Sequence, residues 1–170
     1  MICGAMKNKQ TFVATLKIKT DEGNFVARYS SAGLARLEFP AMKRRTATTN
    51  QGGPTVARWH KLATRAVRRM LEGRTPGATP PVDLSNGTAF QRKVWAAMQG
   101  IPTGKTATYA GLAASIKKPK AARAVGGACG ANPIPLLIPC HRVVAAHGEL
   151  GGFSGGLHWK RLLLGRESKG

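Results

Sequence analysis

The sequence predicts two units, an α/β domain over residues 1–80 and a mainly α-helical domain over residues 81–170 that carries a helix-turn-helix. Three observations lead there. Apolar residues alternate at period two near the N-terminus and then recur at helical spacing; a Pro/Gly-rich stretch interrupts the chain near residue 80; and beyond it capped helical segments follow one another across short turns. With 170 residues, 42% of them hydrophobic, the chain has enough material for one generous domain or two small ones sharing a core.

Phe12, Ala14, Leu16 and Ile18 alternate with polar neighbours, the pattern of a strand with one buried face. Asp21-Glu22-Gly23-Asn24 supplies a turn, and Phe25-Val26-Ala27 and residues 34–39 supply two further strands. Residues 40–54 are polar, basic and rich in Gly and Thr, hence a loop. Pro54-Thr55 then opens a helix whose apolar stripe is Val56, Trp59, Ala63, Val67 and Met70 or Leu71, and which Gly73 stops. The stripe is core packing. Arg58, Lys61, Arg65, Arg68 and Arg69 lie largely off it, as a solvated face or, by extension from the net charge, a surface turned towards a polyanion. Residues 74–81 (Arg-Thr-Pro-Gly-Ala-Thr-Pro-Pro) cannot be helical and are expected to link the domains.

Past the linker, Thr88 caps a helix with Phe90, Val94, Ala97 and Met98 on one face, ended by Gly100. Thr108 caps a second, from Tyr109 to about Ile116, and Pro119 suits the first turn of a third over about 120–129. Two helices joined by so few residues match a helix-turn-helix. The second of the pair is slim: Ala121, Ala122, Ala124, Gly126 and Gly127 surround one long side chain, Arg123. Small side chains allow a close approach, either to a neighbouring helix of the same domain or to the narrow minor groove of a duplex.

Twenty-seven Lys and Arg against seven Asp and Glu give a net charge of +20. Such an excess favours a polyanionic partner, most often DNA or RNA, although a solubilising surface gives the same count. No apolar run approaches the roughly 18 residues of a membrane span. Residues 1–10 lack a charged-then-apolar signal, so an intracellular protein is expected, cytoplasmic in a prokaryote or nuclear in a eukaryote. Cys3, Cys129 and Cys140 are odd in number and unpaired in spacing. That argues against a disulfide framework, leaving only a Cys129–Cys140 bridge open, and no zinc-ligand spacing is present.

The apolar run 136–138 ends at Pro139, which cannot donate a ladder hydrogen bond. Cys140 therefore sits where a buried segment breaks, beside His141 and Arg142. A thiol attacks as thiolate, and an imidazole or positive charge favours that form. In extended chain, however, adjacent side chains face opposite ways, so a direct or water-bridged Cys140–His141 contact requires a turn or helical geometry. A buried cysteine is also a serviceable small hydrophobe, so both readings stand. Residues 148–156 form a glycine-rich loop holding Phe153-Ser154-Gly155-Gly156, whose amides either approach a ligand or merely turn. A helix over 157–165 then closes on Glu167, which could orient His141 as the third group of a nucleophilic triad.

Pro139-Cys140-His141-Arg142-Val143 resembles the active-site signature of the O6-alkylguanine-DNA alkyltransferases, also called methylated-DNA–protein-cysteine methyltransferases. Phe90-Gln91-x-x-Val94-Trp95, Ile101-Pro102-x-Gly104, Thr108-Tyr109-x-x-Leu112-Ala113, Ala121-Ala122-Arg123-Ala124-Val125-Gly126, Asn132-Pro133 and Ser154-Gly155-Gly156 resemble further family blocks, in order, over residues 88–167. The N-terminal half is similar only in its strand-then-helix pattern. The resemblance implies an RNase H-like N-terminal domain and a winged helix-turn-helix-like C-terminal domain. It implies that Cys140 accepts the alkyl group of O6-alkylguanine, with O4-alkylthymine as a second candidate substrate, once per molecule and without a cofactor. It further implies that His141 takes the thiol proton through a water, that Glu167 holds the imidazole, that Asn132 fixes the active-site turn and that Tyr109 assists the departing guanine. Arg123 would fill the stack of a flipped nucleotide, with Ala121, Ala122, Ala124 and Gly126 in the minor groove of double-stranded DNA, while Ser154 and Phe153 meet the base. The target atom faces the inside of a base pair, so the base has to leave the stack. A monomer with no membrane partner is implied. Phe153 departs from the frequent Tyr, which alters contacts to the base. The family's zinc site requires two Cys and two His, and only Cys3 and His60 are at hand, so no metal is expected.

Three rival readings differ in checkable ways. A non-catalytic, alkyltransferase-like lesion-binding protein would replace the cysteine, typically by Trp, and Cys140 is present. A Cys-His hydrolase would need an oxyanion hole and leaves Tyr109, Arg123 and the basic charge idle. A helix-turn-helix regulator leaves the Cys-His-Asn-Glu set unexplained.

Overall fold

β1 (Ala14–Thr20), β2 (Gly23–Ser30) and β3 (Gly33–Glu38) form an antiparallel meander in chain order. Each hairpin turns on two residues, and the register sets Ile18 opposite Phe25 and Leu16 opposite Ala27. The computed structural model describes residues 10–40 and 52–169, so Cys3 and most of the loop expected over 40–54 lie outside the described residues. Alternation puts Ala14, Ile18, Phe25, Ala27 and Tyr29 on the buried face, and a register shift between β2 and β3 brings Leu34, opposite Tyr29, and Leu37, opposite Ala27, onto it as well.

α1 (Gly53–Leu71) lies against β1 and β3 and buries Val56, Ala63, Ala66, Val67, Met70 and Leu71. Trp59, expected in that stripe, sits at its margin and is only half-buried, while Ala66 lies inside it. Gly73 ends the helix for a reason beyond conformation. Its φ is +78°, and a Cβ there would run into the backbone carbonyl of Arg166. The 74–81 stretch is irregular, as expected, but its end is bonded to the sheet. Pro81 accepts from the Leu34 amide at 2.8 Å, and the Asp83 amide donates to the Leu34 carbonyl at 2.8 Å. The segment thus extends the β3 edge before the helices begin.

α2 (Ala89–Gln99) starts at a reciprocal cap: the Gln91 amide donates to Thr88 Oγ1 at 3.2 Å and the Thr88 amide to Gln91 Oε1 at 2.8 Å. Trp95 is buried and donates from Nε1 to the Ala128 carbonyl at 2.8 Å, tying α2 to α4 (Ala122–Gly130). α3 (Tyr109–Ser115) is capped by Thr108 and closes on Lys117, which adopts φ +60°. Amides of Lys117 and Lys118 return to the carbonyls of Ala114 and Ala113, the bonding of a Schellman motif. The third helix expected over 120–129 begins instead as a 3₁₀ turn, Pro119–Ala121, and continues as α4.

Two connections escaped sequence pattern. β4 (Ala107–Thr108) pairs in parallel with β5 (Val143–Val144), lashing the start of α3 to the segment after Cys140. α5 (Leu157–Glu167) returns to the sheet, where Trp159 packs on Phe25 at 5.5 Å and on Phe39 at 4.9 Å. The buried cluster runs from Ala14 to Leu163 through both halves of the chain. An α/β N-terminal region and a helical C-terminal region therefore share a core. No described helix is long and apolar enough to cross a membrane.

Candidate active site

Cys140 opens a 3₁₀ turn, Cys140–Arg142, in which the Arg142 amide donates to the Pro139 carbonyl at 3.0 Å. This is the non-extended geometry that a Cys140–His141 partnership requires. The preceding turn is clamped by Asn132, whose Nδ2 donates to the Ile138 carbonyl at 2.8 Å and whose Oδ1 accepts from the Ile134 amide at 3.0 Å. Leu136 within that turn is fully buried at φ +79°, a conformation that costs a branched residue about 1–2 kcal/mol and that the clamp and packing must offset. Cys140 itself is 5% exposed. Burial pushes its thiol up, against the Asn132 amide and the Lys160 charge, so the resting sulfur keeps its proton and needs a base.

An imidazole follows in the same turn. His141 is fully buried, and its Nε2 lies 2.8 Å from Glu167 Oε1. An ionised carboxylate only accepts, so Nε2 carries the hydrogen and Nδ1 presents a lone pair. Nδ1 is the one buried side-chain N or O among the described residues with no partner. Burial lowers the His141 pKa, and the nearby Arg142 and Lys160 charges act in the same direction against Glu167. The ring is a neutral acceptor. Burial also opposes ionisation of Glu167, but hydrogen bonds from His141 and Arg142 outweigh it and hold the carboxyl down at about 2.

Arg142 and Lys160 were absent from the sequence-derived set of site residues. Arg142 is buried and grips Glu167 from Nε at 3.0 Å and Nη2 at 2.9 Å, while its Nη1 donates to the Ile101 carbonyl at 2.7 Å and Nη2 reaches Thr103 Oγ1 at 3.1 Å. It fastens the 101–104 turn to the relay. Lys160, fully buried, donates to the carbonyls of Val143 and Leu150 and so joins β5 to the glycine-rich loop. Its signal in the sequence is phase: Lys160 precedes Glu167 by two helical turns on one face of α5.

Tyr109, at the first turn of α3, is half-buried, and burial together with Cys129 and Cys140 raises its pKa. Gly151, at φ +62°, crosses its hydroxyl so closely that a Cβ would stand 2.8 Å from the oxygen. On α4 the buried face is Val125, Ala128 and Cys129, whereas Arg123 and Ala124 are exposed and Ala121, Ala122 and Gly126 half-exposed. A Cβ at Gly127 or Gly130 would meet nothing within 4 Å. Internal packing therefore does not demand those small residues. Phe153 rests on Phe39 at 5.5 Å and Ser154 is exposed; among the described residues neither hydrogen-bonds to the relay. Cys129 and Cys140 are both free, and burial first, then Cys140, drives the Cys129 thiol to about 12. His60, the other residue considered for a metal, meets the Tyr29 hydroxyl at 3.0 Å.

Residues 89–169 match the family model described as 6-O-methylguanine DNA methyltransferase, DNA binding domain. The chain is 39% identical over 152 residues to the methylated-DNA–protein-cysteine methyltransferase of Methanosarcina barkeri, covering 86% of this chain and 92% of the relative. Against the inducible methylated-DNA–protein-cysteine methyltransferase of Bacillus subtilis it is 46% identical over 103 residues, 61% of this chain and 57% of that protein's length. Among solved structures it is similar to the Mycobacterium tuberculosis OGT in complex with DNA, with a TM-score of 0.71, 35% identity and coverage of 90% and 91% of the two chains.

Proposed function

Because the chain belongs to the family of methylated-DNA–protein-cysteine methyltransferases, we propose that it reverses DNA alkylation directly, moving the O6-alkyl group of guanine onto Cys140. One observation carries the reading: a buried Glu167–His141 pair leaves Nδ1 unpaired on a residue that shares a 3₁₀ turn with a protonated, buried cysteine.

The steps follow from these groups. The alkylated nucleotide leaves the duplex stack and enters the site, which costs less for a damaged pair. The Cys140 proton passes through a water to His141 Nδ1, and the Glu167 carboxylate stabilises the imidazolium. Sγ attacks the alkyl carbon in line; the S–C bond forms as the C–O6 bond breaks, and the bonding pair stays with guanine. The Tyr109 hydroxyl hydrogen-bonds to the departing guanine, whose gained proton balances the one the thiol lost. Ser154, with Phe153 beside it, borders the base. The product is a thioether with no easily displaced leaving group, so each molecule acts once and needs no cofactor.

DNA is engaged through the minor groove of alkylated duplex by α4. Ala121, Ala122, Ala124 and Gly126 permit close approach, and Arg123 occupies the place of the flipped base. The exposure of Arg123 and Ala124, and the open space around Gly127 and Gly130, support this docking. The N-terminal unit, residues 1–80, takes an RNase H-like form and the C-terminal unit, 81–170, a winged helix-turn-helix; α3, the intervening turn and α4 support the latter. The protein works as a monomer wherever the genome lies, in a prokaryotic cytoplasm or a eukaryotic nucleus.

Intact-mass measurement after incubation with an O6-methylguanine oligonucleotide tests the proposal. One methylene per chain should be gained, and Cys140→Ala protein should gain none. A wild-type mass unchanged by excess substrate would overturn it.

A further inference from the structure

We propose that the outer face of α1 is a second, sequence-independent contact for the phosphate backbone of duplex DNA, separate in position from α4; this rests on the reading of the chain as a DNA-acting protein. Arg58, Lys61, Arg65 and Arg68 are all exposed and recur every three or four residues, forming a straight stripe. At 1.5 Å per residue the stripe is roughly 15 Å long, a length of duplex carrying on the order of nine phosphate charges. No acidic residue occurs anywhere in α1.

The rest of the molecule does not neutralise it. All seven acidic side chains lie among the described residues. Glu22 pairs with Arg166, Glu38 with Arg28 and Arg36, Glu72 with Arg74, and Glu167 with His141 and Arg142. Asp83 accepts from Ser30, Gln10 and Ser85, while Asp21 and Glu149 make no ion pair among the described residues. None of the ion pairs among the described residues includes a cation of α1. Arg68 at least lends a hydrogen bond to the Lys19 carbonyl. Arg58, Lys61 and Arg65 make no side-chain hydrogen bond among the described residues and face one another at the spacings where like charges weaken a helix. Arg68 shares a groove with Asp21, Glu22 and Glu72, but Arg58, Lys61 and Arg65, which strain their own helix and make no ion pair among the described residues, are matched to an external polyanion, and duplex DNA is the one this chain's chemistry brings to them. α1 packs on the sheet and α5, whereas α4 packs on α2 and α3, so the stripe is not part of the α4 surface.

The test is the triple variant R58Q/K61Q/R65Q, in which glutamine keeps the helix propensity. For a long undamaged duplex, the slope of log K against log salt should fall by about 2.7, three contacts at about 0.9 each. The Tm should rise by about 2–4 °C as the repulsion is relieved. Methyl transfer at saturating concentrations of a short O6-methylguanine duplex, read by intact mass, should match wild type. An unchanged slope would overturn the proposal. So would a transfer rate that falls in step with binding, which would place the stripe within the α4 site. Loss of binding to phosphatidylserine vesicles with an unchanged DNA slope would overturn it in favour of a membrane surface. Wild-type protein that gains no methyl group at all would indict the alkyl-transfer reading instead, leaving the slope measurement to stand by itself.

Discussion

One carboxylate, Glu167, serves two buried partners that need it in different ways. His141 needs it to fix the tautomer; Arg142 needs it as counter-charge. Removing Arg142 separates the roles. Arg142→Met should cost about 3–5 kcal/mol in urea unfolding, because a buried pair loses one member and the Ile101 carbonyl loses its donor. It should also move the pH–rate profile. The Arg142 charge helps hold the imidazole neutral, so its loss raises the His141 pKa. In the proposed reaction the neutral ring is the base, so the acid limb of alkyl transfer should shift to higher pH. Arg142→Lys, which keeps charge but not the fork, should lose stability with a much smaller shift; equal shifts in both variants would mean that charge is not the cause. At this scale the sequence was only partly legible. Cys140 and its neighbours could be read directly and Glu167 by the logic of triads. Arg142 stood in view without its partner, which lies 25 residues away, and a lysine on a helix such as Lys160 reads as solvated until its phase with Glu167 is noticed.

Among the elements, those that bury a continuous face were readable and those made by pairing across the chain were not. β1 to β3, α1, α2 and α3 announce themselves through period and cap, with Thr88 and Thr108 at the expected starts. The β4–β5 ladder is two residues long on each side, and the 74–81 connection joins the sheet through backbone groups that any sequence supplies. The close of α3 offers a sharp test. Lys117 occupies the left-handed position at which a Schellman motif favours glycine. Relief of about 1–2 kcal/mol of strain, less about 0.5–1 kcal/mol for the freer unfolded chain, leaves Lys117→Gly about 0.5–1 kcal/mol more stable. Chemical denaturation should register the gain with transfer activity unaltered; a loss would mean that the lysine side chain contributes more than its backbone costs.

Taken whole, the molecule should unfold as one body despite the division proposed near residue 80. Leu37 donates to the Pro133 carbonyl, Phe25 meets Trp159, and Arg166 on α5 bonds to Glu22 and to the Leu71 carbonyl of α1. Far-UV circular dichroism and tryptophan fluorescence should therefore give one midpoint in urea, since Trp59, Trp95 and Trp159 report from α1, α2 and α5. Two resolved midpoints would show lobes that fold separately. The shared core also bears on how such a chain can vary over generations. Gly73 ends a helix of the first lobe, yet the atom that forbids it a side chain is the carbonyl of Arg166, next in line to Glu167. A heritable change at Gly73 would push on the backbone of Glu167, whose amide nitrogen lies 3.2 Å from where the added Cβ would stand. Selection on the proposed chemistry would thus reach into the lobe that lacks Cys140, and a lobe borrowed from elsewhere would have to bring its own bare backbone to that spot.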